Sequence, residues 1–566
     1  MTITVPAPLL EVEAAIQSDW QSARGTQRLW ARDASLWSGG DEAMWLGWLD
    51  SPEIGITRLP LLAGFARDVF EGEYEHVLLL GMGGSSLGPE VVGKVFGPQE
   101  IWPEMHVLDT TDPRQIRAVE EAIDYATTLF IVSSKSGGTL EVTILLEYFL
   151  SRAQAVLGQA LAKRQFIAIT DPGSKLEGIA KATGFHHVFA GEPTIGGRFS
   201  VLSPFGLVPA TAIGVDLARY LFAAQDMAEA CRDESPANPG VRLGLLIASA
   251  ARAGYDKLTI VTGPGLESFG GWVEQLVAES TGKNGQAVIP VDGEPLGPPD
   301  VYGNDRLLVH LSFADRPDHH GAMLDPLVAA GIPVLRIVLA SPYQLGQEFF
   351  RWEIATAVLG AVMKLNPFDQ PDVEASKLAT KRLTATYSES GALPGWRDFA
   401  TAPGISLLAD TANTATLSAA AADSSVLAVL RAHLARVKNG DYVAILAYLP
   451  HDEAVTKALQ IPRLRIRDRL KVATCLQFGP RFLHSTGQAY KGGPNTGVFI
   501  LITTDEPDDL AIPGQKYSFG VVKAAQAQGD SEVLAERGRR LLRIHLSGNL
   551  AMGLASIARM IDTILS

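Results

Sequence analysis

Short apolar runs set at helix-length intervals constrain this chain more than any other feature. His76–Gly81 (HVLLLG), Met105–Asp109 (MHVLD), Leu129–Val132 within Thr127–Val142, and Gln165–Asp171 (QFIAITD) each have the length and continuity of a strand buried on both faces. Amphipathic segments long enough for a helix separate them. That alternation predicts an α/β fold with a doubly wound parallel sheet, in which ligands bind beyond the carboxyl ends of the strands. A second set of such runs, Asp441–Leu449, Leu470–Gly479 and Thr496–Thr503, predicts an additional C-terminal α/β unit.

The loops after two of the early strands carry the chemistry. Ser134, Ser136 and Thr139 can donate hydroxyl hydrogen bonds, Gly137 and Gly138 permit a tight turn, and a helix starting near Thr139 offers unpaired amides with partial positive charge. Together they form a candidate phosphate site, and Lys135 adds a cation. Taken alone, SKSGGT reads more economically as a serine-rich turn with an N-cap. The loop Gly81–Pro89 (GMGGSSLGP) places Gly83 and Gly84 where backbone can approach a sugar phosphate, with Ser85 as a donor. Counting from Gly81, the third glycine of a dinucleotide fingerprint falls on Ser86, and no Walker sequence surrounds Gly282-Lys283, so a nucleotide-dependent oxidoreductase is disfavoured.

With 566 residues, the chain is too long for one core. Two or three domains are expected, and the bounds taken are a helical N-terminal segment (1–70), a first α/β domain with the phosphate loop (71–235), a second (236–385) and the C-terminal unit (386–566). Trp20, Trp30, Trp37, Trp45 and Trp48 in the first segment read as packing anchors. Residues 386–425, rich in Ala, Ser, Thr and Gly, read as a surface connection, and Ser531–Ser566 as mostly helical. No apolar run is long enough to span a membrane, and MTITVPAPLLEVEAAIQ lacks the basic start and apolar core of a secretory signal, so the expectation is a cytoplasmic protein. Cys231 and Cys475 are too few and too far apart for a disulfide framework or thiolate zinc site. The net charge of −14 disfavours nucleic acid as a partner while leaving room for a local basic pocket built from Lys135, Arg198, Lys283 and Lys377.

GMGGSSLGP at 81–89 and SSKSGGTLE at 133–141, with Gly196–Ser203 (GGRFSVLS), Gln275–Lys283 (QLVAESTGK) and Asn366–Lys377 (NPFDQPDVEASK), resemble the glucose-6-phosphate isomerase family, whose chains carry sugar isomerase domains. The resemblance implies a glycolytic and gluconeogenic aldose–ketose isomerase, converting glucose 6-phosphate to fructose 6-phosphate through a cis-enediol with no cofactor and no metal. It implies that Glu279 is the base moving a proton between C2 and C1, that Arg198 faces the enediolate, and that Lys377 acts in ring opening. Gln275 and Gln370 would contact substrate. Each has a plainer reading as a surface glutamate, a salt bridge or a helix-face polar group.

The ring-opening histidine of the family is missing from its usual place, where the chain reads DVYGNDR. The LHSxGQ setting occurs instead at Phe482–Gln488, making His484 the candidate, with Glu141 as a residue that orients its ring; Tyr302 or Asp305 are alternatives. The late stretches KGGPNTGVF and YSFGVVKAAQAQGD resemble the isomerase half of fused transaldolase–glucose-6-phosphate isomerases, and no lysine-bearing transaldolase barrel precedes residue 75. His186-His187 and His319-His320 are adjacent pairs whose side chains are expected to diverge, which argues against a zinc site. Mannose 6-phosphate or a sulfonated sugar as substrate, and a non-catalytic sugar-phosphate-binding regulator, remain competing readings. Family members are commonly homodimers, and the C-terminal unit admits a monomer.

Overall fold

The computed structural model describes residues 1–566. A short strand β1 (Thr2–Thr4) opens the chain, followed by helices through Glu71. Strands β2 (His76–Leu80), β3 (Glu104–Leu108), β4 (Thr128–Ser133), β5 (Phe166–Thr170) and β6 (His187–Ala190) form a first sheet, ordered β3-β2-β4-β5-β6 and parallel throughout. A second sheet takes β7 (Lys257–Thr262), β8 (Ile289–Val291), β9 (Arg306–Phe313) and β10 (Val334–Leu339) in the order β1-β10-β9-β7-β8, with only β1 antiparallel. The third holds β11 (Asp398–Ala402), β12 (Ile405–Leu408), β13 (Tyr442–Tyr448), β14 (Ala473–Phe478), β15 (Gly497–Thr504) and β16 (Arg540–Leu546), ordered β11-β12-β16-β15-β13-β14; its last four members are parallel.

Every residue of β4 is buried, which is why Leu129–Val132 can be apolar without interruption. Register then decides where the loops emerge. Leu80 pairs with Leu108 on one side and with Val132 on the other, so the loops after β2, β3 and β4 leave the sheet at one edge. The order reverses between β2 and β4, and the crevice outside that switch point is where a doubly wound sheet accepts a ligand.

The largest apolar cluster joins the N-terminal helices to the first two sheets. Trp20, Trp37 and Trp48 are buried in it and Trp30 and Trp45 pack against it. The Trp48 ring stacks on Phe199 at 5.1 Å, and the Trp37 indole donates to the Ala357 carbonyl at 2.8 Å. Cys231 and Cys475 are free and buried.

Three elements differ from the sequence reading. Residues 2–4 form an edge strand on the second sheet rather than part of a helical segment. Residues 386–425 are more than a connection: β11 and β12 form a hairpin that extends the third sheet, and Thr411–Ala420 is helical. Within Ser531–Ser566, β16 interrupts the helices and pairs with β12 and β15. No helix is long and apolar enough to cross a membrane.

Candidate active site

The loop after β4 is built around free amides. Thr139 caps the helix Leu140–Leu157 by backbone conformation alone, without a side-chain hydrogen bond to the helix. The amides of Ser136, Gly137, Thr139 and Leu140 donate no hydrogen bond inside the protein, and the last two stand at the positive end of that helix dipole. Gly137 has φ +65°, and a Cβ there would come within 2.5 Å of the Leu176 nitrogen, so glycine is required. Ser136, Gly138 and Thr139 line a cavity of 580 Å³ that Glu141, Lys377, His484 and Gln526 also line. Ser134 lies behind Thr139, donating to its hydroxyl at 3.3 Å. Lys135 corrects the sequence reading: its ammonium turns away from the cavity, to Asp171 at 2.5 Å and the Glu192 carbonyl at 3.0 Å, because a part-buried ammonium settles on the nearest carboxylate.

His484 reaches this cavity from the third sheet, through the short turn Arg481–His484 that follows β14. Its Nε2 lies 2.9 Å from Glu141 Oε1, which also accepts from Gln526 Nε2 at 2.7 Å. Burial, the largest single influence, works to raise the Glu141 carboxyl, but the His484 ring, the backbone amide of Glu141 and Lys377 together hold it below the ordinary glutamate range. Gln526 in turn accepts from the Thr111 hydroxyl at 2.7 Å, which fixes its amide. Lys377, on the helix Pro371–Ser390, is half exposed across the same cavity, with Glu374 at 3.8 Å.

The helix Phe269–Thr281 presents Gln275 and Glu279 on one face, four residues apart. Gln275 Nε2 donates to Glu279 Oε2 at 3.2 Å and to the His484 carbonyl at 2.8 Å. Arg198 faces the other carboxylate oxygen at 3.5 Å. Its guanidinium is spread over Ser280 Oγ (2.8 Å), Gln370 Oε1 (2.9 Å) and the carbonyls of Pro367 (2.6 Å) and Asp369 (2.9 Å). Burial lowers the Arg198 pKa, against the support of Glu279 and Asp369. Neighbouring Lys283, paired with Asp369 at 2.6 Å, is pushed down to about 8 by burial and then by Arg198. Arg198, Gln275, Glu279 and Gln370 stand outside the lining of the 580 Å³ cavity and meet it through the Gln275–His484 hydrogen bond.

Glycines make that meeting sterically feasible. Gly83 has φ +57°, and a Cβ on it would lie 2.9 Å from Gln275 Nε2 and 3.1 Å from the His484 carbonyl oxygen. A Cβ on Gly84 would stand 1.8 Å from the Gly197 carbonyl oxygen, inside the turn that carries Arg198. Ser85 is buried next to them.

The alternatives for acid–base work fall elsewhere. Tyr302 accepts from the Gly297 amide at 2.8 Å and Asp305 faces Lys257 at 3.6 Å, and neither lines the cavity. Gln526 and Ser280 were not singled out by sequence; Gln526 lies on a helix with another glutamine two residues on, and only folding brings it to Glu141. His186 and His187 do not diverge: their rings are 4.3 Å apart beside Asp68, because His186 sits in the bend before β6 rather than in the strand.

Comparison with known proteins follows the same lines. The phosphoglucose isomerase family model matches residues 63–289, which include both glycine-bearing loops, Arg198 and Glu279 but not Lys377 or His484. A probable glucose-6-phosphate isomerase of Methanococcus maripaludis is 30% identical over 368 residues, 57% of this chain and 81% of that protein. A glucose-6-phosphate isomerase of Thermus thermophilus is 29% identical over 399 residues, 63% of this chain and 94% of that protein. Among solved structures, a hypothetical protein of Thermus thermophilus superposes with TM-score 0.56 at 27% identity, covering 67% of this chain and 99% of that one. A glucose-6-phosphate isomerase of Chlamydia trachomatis, TM-score 0.51 at 21% identity over 64% of this chain and 78% of that one, shares the fold.

Proposed function

The chain belongs to the glucose-6-phosphate isomerase family, and from that premise we propose that it interconverts glucose 6-phosphate and fructose 6-phosphate by the groups just described. The observation that carries the proposal is the bridge made by Gln275. One amide nitrogen holds both the carboxylate of Glu279 and the main chain of His484, so a base from the second sheet's helix and an imidazole from the third sheet's turn are fixed relative to each other.

The substrate phosphate is taken up by Ser136, Thr139 and the free amides of that loop, with Ser134 orienting Thr139. His484, its ring held by Glu141, and Lys377 open the pyranose by exchanging protons at O5 and O1. Glu279 then removes the C2 proton, and the electron pair forms a C1–C2 double bond as the O1 aldehyde oxygen becomes an enediol oxygen. Arg198 offsets the negative charge that develops there. Protonation of C1 by Glu279, with the O2 proton passing to O1 as the C2 carbonyl forms, gives the ketose. Gly83, Gly84 and Ser85 allow the close approach of backbone on which this depends, and Gln370 steers Arg198.

The protein is read as a homodimer or a monomer. Residues 71–235, 236–385 and 386–566 are read as the folding units that supply the groups named, and a sugar-phosphate substrate favours a reaction in the cytoplasm.

The test is proton NMR of the purified protein with glucose 6-phosphate in heavy water, beside Glu279→Gln. Fructose 6-phosphate carrying deuterium, formed by the parent and not by the variant, is the expected result. No turnover with tight sugar-phosphate binding would replace the proposal by a regulator; turnover only of mannose 6-phosphate or a sulfonated sugar would replace its substrate.

A further inference from the structure

The turn that delivers His484 leaves the third sheet and crosses to the edge of the first, and the two hydrogen bonds at His484, one accepted by its carbonyl from Gln275 and one between its ring and Glu141, are a slender hold for such a crossing. Three residues earlier, the Arg481 guanidinium makes a second attachment. One amino group pairs with Glu90, on the helix Leu87–Phe96 that follows β2. The other lies 3.4 and 3.3 Å from the two oxygens of Asp109, the residue directly after β3. Asp109 also accepts from the Ser86 hydroxyl at 2.9 Å, and Ser86 closes the glycine loop whose Gly83 rests against the His484 carbonyl. The three charged side chains are 9–21% exposed, so water compensates each of them poorly and the pairing is specific in geometry. Phe482 and Leu483 between them are buried in the apolar cluster beneath the third sheet.

We propose that Arg481 is a positioning residue for ring opening: by clasping Glu90 and Asp109 across the two sheets it sets the register in which His484 offers its ring to the cavity and its carbonyl to Gln275. The inference rests on the reading of His484 as the ring-opening group. Arg481 touches no reacting atom and acts through the turn. Apolar burial of Phe482 and Leu483 brings the turn to the sheet edge, while the guanidinium fixes its rotation there.

The experiment compares Arg481→Ala and Arg481→Lys with the parent in two measurements. One is kcat and KM on glucose 6-phosphate, which must be opened. The other is inhibition by an open-chain phosphorylated hydroxamate, which resembles the enediolate and needs no opening. Arg481→Ala is expected to lose about tenfold or more in kcat, with KM and the hydroxamate inhibition constant moving by less than about threefold. Arg481→Lys, which keeps the charge but not the fork, is expected to recover part of the loss. Activity of Arg481→Ala within about twofold of the parent overturns the proposal, as does an equal loss in turnover and inhibitor binding. Should Arg481→Ala not fold, Glu90→Gln with Asp109→Asn removes the same clasp from the other side, and absence of the split there overturns it equally. A parent that binds the hydroxamate without isomerising glucose 6-phosphate would overturn the functional reading instead.

Discussion

Glu279 stands between a cation and an amide, 3.5 Å from Arg198 and 3.2 Å from Gln275, so replacing one carboxylate oxygen by nitrogen preserves shape while removing the proposed base. Glu279→Gln is expected to lower kcat by about 10²–10⁴ with phosphate binding intact, read by deuterium incorporation and by titration with an unreactive sugar phosphate. A different carboxyl reports on stability. Glu353 is buried on the helix Leu345–Met363 with both oxygens unpartnered, and burial alone raises it well above the ordinary glutamate range. Folding therefore binds a proton there: its stability is fully present below the ordinary glutamate range and is lost as pH rises from that range toward the folded value. Glu353→Met is expected to flatten that slope and to stabilise the protein by about 1–3 kcal/mol at pH 8, checked by thermal melts at pH 5 and pH 8. At this scale the sequence speaks where chemistry is local. Gln275 and Glu279 share one helix face and Ser136 and Thr139 one loop, so motif and geometry coincide. Lys135 was misread because its partners Asp171 and Glu192 are 36 and 57 residues away, and the direction of an ammonium follows its partners.

Among elements, the turn Gly197–Phe199 illustrates how a site depends on what a residue lacks. Gly84→Ala would drive a methyl group into the Gly197 carbonyl, displacing the turn that holds Arg198 while leaving Arg198 itself in place in the sequence. A loss of about 10² in kcat is expected, since ångström-scale misplacement of a catalytic group has that cost; parallel melts distinguish misplacement from unfolding. The strands buried on both faces were legible because a continuous apolar run has few other uses. β16 escaped because RLLRIHL mixes arginine with leucine, and Arg540 and Arg543 find partners in Asp441 and Gln528 that no local window contains. The β11–β12 hairpin escaped because Ala, Thr and Gly signal a loop, and it is pairing with β16 that makes a strand of Ile405–Leu408.

For the whole molecule, the second and third sheets meet at a buried ionic node. Glu294 pairs with Arg306 at 2.9 Å and accepts from the Thr474 amide at 2.9 Å, while Arg463 donates to the carbonyls of Asp292 and Gly293 at 2.7 and 2.8 Å. Arg306→Met would leave the Glu294 carboxylate short of its cation, and a loss of about 3–5 kcal/mol is expected in denaturant unfolding. A monomeric enzyme would keep constant specific activity on dilution to nanomolar concentration, whereas a site completed by a second copy would lose it, a steady-state assay sufficing to tell them apart. Apolar runs marked parallel strands of the first and third sheets and the family resemblance implied the second; their docking could not be read, since it rests on far-separated pairs such as Glu294–Thr474 and Gln275–His484, 180 and 209 residues apart. Chain order gives this docking a temporal meaning. During synthesis the loop carrying Ser136 and Thr139, like Glu279, leaves the ribosome long before His484, and β12 waits for β16 before its edge is filled. On the proposed reading of these groups, a growing chain holds the loop for sugar phosphate before it holds the turn for ring opening, so turnover waits for the third sheet to form.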